Sequence, residues 1–267
     1  MTRNEPEIHQ IFAVKYARHE RERHYNFIAA DPHDGIMPLD YFVWAIVNEN
    51  RTIIVDTGFD HEEAKNRNRQ LLRLPKEGLA MIGVDAAVVK DVIITHLHYD
   101  HAGTSSDFPN AKFHLQDLEM SYASGRSMRH APLKSAYSVE HVVDFVRHLY
   151  AGRVIFHGGD SMLAPGISLH HIGGHTMGIQ SVRVFTRRGW VVLASDAAHF
   201  YENMEKAAPF PIVYNVADMV EGFDRLRSLA ESEDHIIPGH DPLVMERYPA
   251  PNPDLEGVVV RLDVPPF

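Results

Sequence analysis

Val92-Ile93-Ile94-Thr95-His96-Leu97-His98-Tyr99-Asp100-His101 is an apolar run that empties into three imidazoles and a carboxylate. The apolar part reads as a β-strand, and a strand ending at Thr95 releases the chain into a loop at a sheet edge. There, side chains can converge on an ion. Neutral imidazole and carboxylate are the ligands that zinc and similar divalent metals take. The cluster from His96 to His101 holds more ligands than one tetrahedral ion needs, and the surplus points to two metals. A metal pair serves hydrolysis, because it generates hydroxide near neutral pH and polarises the bond under attack.

The rest of the composition narrows the class. With 267 residues, 45% hydrophobic and 23% charged, the chain fits one large globular unit over 1–267, with 249–267 as a loosely packed, proline-rich extension. A formal net charge of -10 argues against a phosphate-backbone binder, so the expected partner is a small molecule, not nucleic acid. Bound divalent cations would still allow an anionic substrate. There is no cysteine, so any metal is held by nitrogen and oxygen. The start, Met1-Thr2-Arg3-Asn4-Glu5-Pro6-Glu7, is polar and unlike a signal peptide, and the longest apolar run, Tyr41 to Val47, is too short for a bilayer. A cytoplasmic protein without a membrane span is expected.

Tyr41 to Val47 and Thr52 to Val55 read as strands joined by the polar link Asn48-Glu49-Asn50-Arg51. The segment from His61 to Gly83 reads as helix plus loop, and Asp85 is an N-cap candidate for a short helix to Lys90. Further strands are expected at Ala111–Leu115, Arg153–Phe156, Ile167–Ile172, Gln180–Phe185, Trp190–Ala194 and Asp234–Ile237. Apolar residues at helical spacing mark Val139 to Tyr150 and Val216 to Leu229, and another helix starts near Asp117. Many strands with interspersed helices imply an α/β architecture with helices outside packed sheets.

Three other places repeat the context of the opening stretch. His175 follows a strand through Gly173-Gly174, Asp196 follows Val191 to Ala194, and His240 follows a strand through Pro238-Gly239. If these strands share packed sheets, four strand ends deliver ligands to one edge. In this order, His96-x-His98-x-Asp100-His101, Gly174-His175-Thr176, Ser195-Asp196 and Gly239-His240, preceded by Asp56-Thr57-Gly58, resemble the metallo-β-lactamase superfamily. The resemblance runs from about Tyr41 to Asp241 and implies a four-layer αβ/βα sandwich with a dinuclear site. It assigns His96, His98 and His175 to one metal and Asp100, His101 and His240 to the other, with Asp196 bridging. The two divalent ions would be zinc first, with iron, cobalt or manganese as alternatives.

Within the superfamily, His98 departs from the carboxylate of flavo-diiron proteins, and the chain after His240 is too short for the C-terminal region of glyoxalase II-type enzymes. The pattern is most similar to N-acyl-homoserine lactonases, the quorum-quenching hydrolases. The resemblance implies opening of a lactone ring by a metal-bridging hydroxide, with Asp100 shuttling the proton to the departing alkoxide. Where those lactonases carry a tyrosine three residues after the bridging Asp, this chain has His199, with Tyr201 two residues on. His199 and Tyr201 are therefore the candidate substrate contacts. Asp56 is read as orienting a ligand imidazole. Tyr25, Phe27, Met37, Pro38, Phe200, Met204, Phe210 and Tyr214 are candidates to wall an apolar cleft. The alternatives are a mono-iron sulfur dioxygenase, or a thioester or phosphodiester hydrolase of the same superfamily. A non-enzymatic metal-binding protein on the same scaffold is a further reading.

Overall fold

The side chains of β2 (Leu39–Val47) alternate between two buried environments. Phe42, Trp44 and Ile46 enter one cluster, and Tyr41, Val43 and Ala45 enter another. Side chains of a strand point to opposite faces in turn, so a strand covered on both sides reads as an unbroken apolar run. That is why 41–47 looked like the longest hydrophobic stretch without being a membrane element. The computed structural model describes residues 5–267, and Met1 to Asn4 of the polar N-terminal stretch lie outside it. Among the described residues no helix is long and apolar enough to cross a membrane.

Two sheets face each other. The first contains β1 (Gln10–His19), β2, β3 (Thr52–Val55), β4 (Gln70–Leu71), β5 (Asp91–Ile93), β6 (Lys112–Gln116), β7 (Val154–His157) and β13 (Val259–Arg261). Its order is β13-β1-β2-β3-β5-β6-β7, with β4 paired to the end of β1. The second contains β8 (Ser161–Ala164), β9 (Ile167–His171), β10 (Gln180–Thr186), β11 (Gly189–Ser195) and β12 (Ile236–Pro238), ordered β12-β11-β10-β9-β8. Ile11, Trp44, Ile53 and Ile93 of the first sheet share one buried cluster with Leu169, Val182 and Val191 of the second. Helices at Pro75–Ala80 and Val139–Tyr150 cover the outer face of the first sheet through Leu79, Val142 and Phe145. The helix Val216–Leu229 covers the second through Met219, Phe223 and Leu226. The result is the expected four-layer α/β arrangement, helix–sheet–sheet–helix.

The C-terminal stretch differs from the loose extension expected of it. Val259, Val260 and Leu262 are at most 2% exposed, and β13 pairs antiparallel with β1 through Val260 opposite Ala13. Its prolines flank the strand and leave Val258 to Leu262 free of proline, so the ladder is undisturbed. β1, β4, β8 and β13 are the strands that local pattern did not show.

Candidate metal centre

Four chain reversals place the polar residues. β5, in the first sheet, releases Thr95-His96. In the second sheet β9 leads through Gly173-Gly174 to His175, β11 ends at Ser195-Asp196, and β12 ends at Pro238-Gly239-His240. The parallel pairing of β11 with β12 sets Ser195 opposite Pro238, which brings Asp196 beside His240. Gly239 is required there: a Cβ on it would stand 2.7 Å from Asp196 Oδ1. Asp56 and Ser195 both hold positive φ, 62° and 49°, in a region that non-glycine residues occupy only when their surroundings fix them. The sheets are tied at this edge by Gln180, whose side chain donates to Ile94 O (2.9 Å), and by Thr95 Oγ1 against Ser195 Oγ (2.8 Å).

The structure brings together all seven of the residues expected as ligands. His96, His98, His175 and Asp196 form one buried group, and Asp100, His101, Asp196 and His240 form a second, each with ligand atoms within 4.8 Å of one another. Asp196 belongs to both by geometry. Its Oδ2 lies 3.4 Å from His175 Nε2, while its Oδ1 lies 3.3 Å from His101 Nε2 and 3.0 Å from His240 Nε2.

The outward nitrogens of four of the imidazoles are already committed. His96 Nδ1 faces Thr95 Oγ1 at 3.1 Å, His101 Nδ1 donates to Asp56 Oδ2 at 2.7 Å, His175 Nδ1 to Ile212 O at 2.7 Å, and His240 Nδ1 to Asp40 O at 2.8 Å. Such bonds fix the tautomer and turn the other nitrogen's lone pair inward. The inward atoms then crowd one another: His98 Nδ1 is 3.0 Å from His96 Nε2 and 2.9 Å from His175 Nε2. Burial pushes His96 and His98 far below the usual imidazole range and His175 down to about 3, so all three are neutral, the form that binds a metal. In the second group Asp196, Asp100 and Asp56 raise His101 above the usual imidazole range against burial, and Asp196 raises His240 in the same way, as they would favour a cation in their midst. His101 Nε2 and Asp196 Oδ1 nevertheless find no hydrogen-bond partner. Converging lone pairs, two carboxylates and orphaned inward atoms fit divalent cations in both groups.

Two supports were not visible in the sequence. Glu119, fully buried in the helix Asp117–Ala123, accepts from Leu97 N (2.9 Å) and Tyr137 Oη (2.8 Å) on one oxygen. On the other it accepts from Thr176 Oγ1 (2.5 Å) and Gly178 N (3.3 Å). It thereby joins the loop of His96–His101 to the loop of His175. Behind His240, buried Asp40 pairs with Lys15 at 2.6 Å. Asp56 was read correctly as a residue that orients an imidazole, and it also accepts from Thr95 N at 2.7 Å.

Above the two groups opens a cavity of about 540 Å³ that reaches His98, Asp100, His175, Asp196, His199 and His240. His199 is at its floor, with Nε2 3.0 Å from Asp196 Oδ2 and its ring stacked on Phe210 at 3.6 Å. Tyr201 does not reach it. The chain turns into the helix Tyr201–Glu205, held by Tyr201 N donating to Asp241 Oδ2 (3.0 Å), and the phenol points to a neighbouring cavity under Arg247. The expected apolar wall is also corrected. Of its residues Tyr25 alone lines this cavity, while Phe27 and Phe200 pack together in a separate core and Tyr214 packs on Tyr122. Their place is taken by Arg21, Arg67 and Arg69.

An N-acyl homoserine lactonase from a Bacillus species is 28% identical over 221 residues, spanning 76% of this chain and 82% of the relative. A second, from Azorhizobium caulinodans, is 31% identical over 173 residues, 60% of this chain and 61% of that one. A solved quorum-quenching N-acyl homoserine lactone lactonase superposes with a TM-score of 0.75 at 23% identity, covering 89% of this chain and 95% of its own. A metal-dependent hydrolase from Staphylococcus aureus, described as probable, gives 0.74 at 16%, covering 91% and 92%. The sequence profile of the metallo-beta-lactamase superfamily matches residues 36–240, and with this fold the chain belongs to that superfamily.

Proposed function

We propose that the protein is a dinuclear-metal-dependent hydrolase that opens a lactone ring. The observation that carries this reading is Asp196, whose two oxygens face two separate groups of inward imidazole nitrogens. His96, His98 and His175 would hold one ion, Asp100, His101 and His240 the other, and Asp196 both. Bound divalent metals supply Lewis acidity and lower the pKa of water toward about 7.

The chain's own residues do the rest. Asp100 lines the cavity with Oδ2 3.6 Å from His101 Nε2 and from His240 Nε2, a position from which its carboxylate can take a proton from the attacking water and pass it to the departing ring oxygen. The stack on Phe210 holds His199 rigid at the cavity floor, where its ring contacts the substrate. The relatives' substrates support a lactone, and zinc is the metal that suits a nitrogen/oxygen site of this kind.

Metal analysis followed by a pH-indicator assay on a panel of lactones tests the reading. About two ions per chain and proton release from a lactone are expected. Absence of proton release from every lactone by the two-metal form, or one iron per chain with thiol-dependent oxygen uptake, would overturn it.

A further inference from the structure

Two guanidinium groups line the cavity over the metal groups, as do the exposed carboxylates of Glu20 and Glu22. Arg67, the third, is fully engaged: it pairs with Glu63 and donates to Ser135 O (2.8 Å) and Tyr137 O (3.1 Å). The Arg21 side chain makes one hydrogen bond among the described residues, Nη2 to Tyr25 O at 2.6 Å. Arg69 donates Nε to Tyr99 Oη (3.1 Å) and Nη1 to Arg67 O (2.5 Å). Among the described residues neither has an acidic partner within ion-pair distance. The acids nearest in sequence are engaged elsewhere, Glu20 with Arg18 at 2.8 Å and Glu22 beside His24 at 3.3 Å.

Arg69 also acts on Arg21, and both act on His19 in the same cavity. Burial pushes Arg21 below its usual range, and Arg69 adds to the effect. Burial, then Arg69, then Arg21, push His19 down to about 4, so it is neutral at pH 7. Arg69 itself is held above its usual range against burial by Tyr41, Tyr99 and Asp100, so the strain falls on Arg21, a half-buried charge beside a like charge that a bound anion would relieve. Arg69 is also fixed relative to the metal groups. Its partner Tyr99 Oη lies 3.0 Å from Tyr41 Oη, and the Tyr41 ring packs on His240 at 5.0 Å.

We propose that the substrate carries a carboxylate distant from its scissile bond, and that Arg21 and Arg69 bind it. This rests on the lactonase reading for the reaction and goes beyond it in naming the substrate class, an acidic lactone in place of one with a purely apolar chain. Guanidinium forks match planar carboxylates, and charge-assisted hydrogen bonds are the strong ones. The lining also carries Glu20, Glu22, Asp100 and Asp196, and the chain's net charge is -10, so the two guanidiniums are a local positive feature within an acidic field.

The test separates binding from turnover. γ-Lactams carrying a carboxylate on side chains of one to four methylenes, and the matching primary amides, are titrated into the metal-loaded protein by calorimetry. At least one carboxylate lactam is expected to bind about 10–100-fold more tightly than its amide. Arg21→Gln and Arg69→Gln are each expected to erase most of that preference, and Arg69→Lys to restore part of it. Metal content and circular dichroism confirm that each variant is folded and loaded. Equal binding of carboxylate and amide across the series, or a preference that survives both Gln variants, would overturn the proposal. So would tighter binding of the matching phosphate monoesters, lost in the same variants. If the preference is found but no lactone releases a proton, the lactonase reading fails and the anion site stands.

Discussion

At the scale of single residues, the candidate metal-facing side chains were legible and their supports, Asp56 apart, were not. Four candidate ligands fall within His96–His101, and the others each follow a strand through a turn, so local pattern carries the signal. Glu119 shows the opposite case. Its four donors come from residues 97, 137, 176 and 178, and nothing near position 119 announces them. Arg21 and Arg69 enter the cavity from separate loops, so no spacing marks them either. In Glu119→Gln, whichever side the new amide takes, its hydrogens meet two donors that a carboxylate oxygen had accepted. The loss is about 2–4 kcal/mol of stability, with metal affinity falling about 10–100-fold. Urea unfolding and metal titration check this, and a variant with wild-type values in both would show that the two loops are held by something else. Asp100→Asn keeps an oxygen for the metal group but removes the proton acceptor. It should lower kcat by about 10²–10⁴-fold with metal content unchanged. Full activity at full metal content would remove Asp100 from proton transfer.

At the scale of elements, patterning succeeded where one periodicity governed a whole segment. The helix Val139–Tyr150 matches its expected limits, and the helix Val216–Leu229 is capped by Asn215, which accepts from Ala217 N at 3.0 Å. β1 was missed because Lys15, Arg18 and His19 break its apolar alternation, and a bulge between Lys15 and Ala17 shifts its register. Tyr201 was misplaced because a helix begins at that residue and carries the phenol away from the cavity. That helix, Tyr201–Glu205, is clamped to the N-terminal loop by Glu202 and Arg23, paired at 2.6 and 2.5 Å. Hydrogen bonds from Arg23 hold the Glu202 carboxyl down to about 2, well below the usual 4.5. A depressed native pKa means that the clamp's contribution is complete above about pH 4.5 and is lost as pH falls toward 2. Glu202→Gln should therefore cost about 1–2 kcal/mol at pH 7, and the gap to wild type should narrow as the pH drops from 5 to 3. Urea midpoints across that range give the answer. A gap that stays constant would mean that the loss comes from packing instead of charge.

At the scale of the whole molecule, the two sheets form one sandwich whose candidate ligands share an edge, and β1 lies beside the edge strand β13 in the first sheet. It pairs with β2, β4 and β13, so the last strand of the chain closes over the first. Removing residues 250–267 would expose the flank of β1 that pairs with β13, leaving unpaired amides and carbonyls beside apolar surface. It would also remove Val259, Val260 and Leu262, all nearly inaccessible to solvent. Burying side chains of this size contributes about 1.5–3 kcal/mol each, so the three together amount to roughly 5–9 kcal/mol. A native domain is stable by about 5–15 kcal/mol in all, so the loss is on the scale of the total. The truncated chain should be found in the insoluble fraction or as aggregates on size-exclusion chromatography. The candidate metal groups themselves would be untouched by the cut, since His240 is the last of their residues in the chain. A soluble truncation that keeps its metal and melts at the wild-type temperature would show that β13 covers the sheet without supporting it.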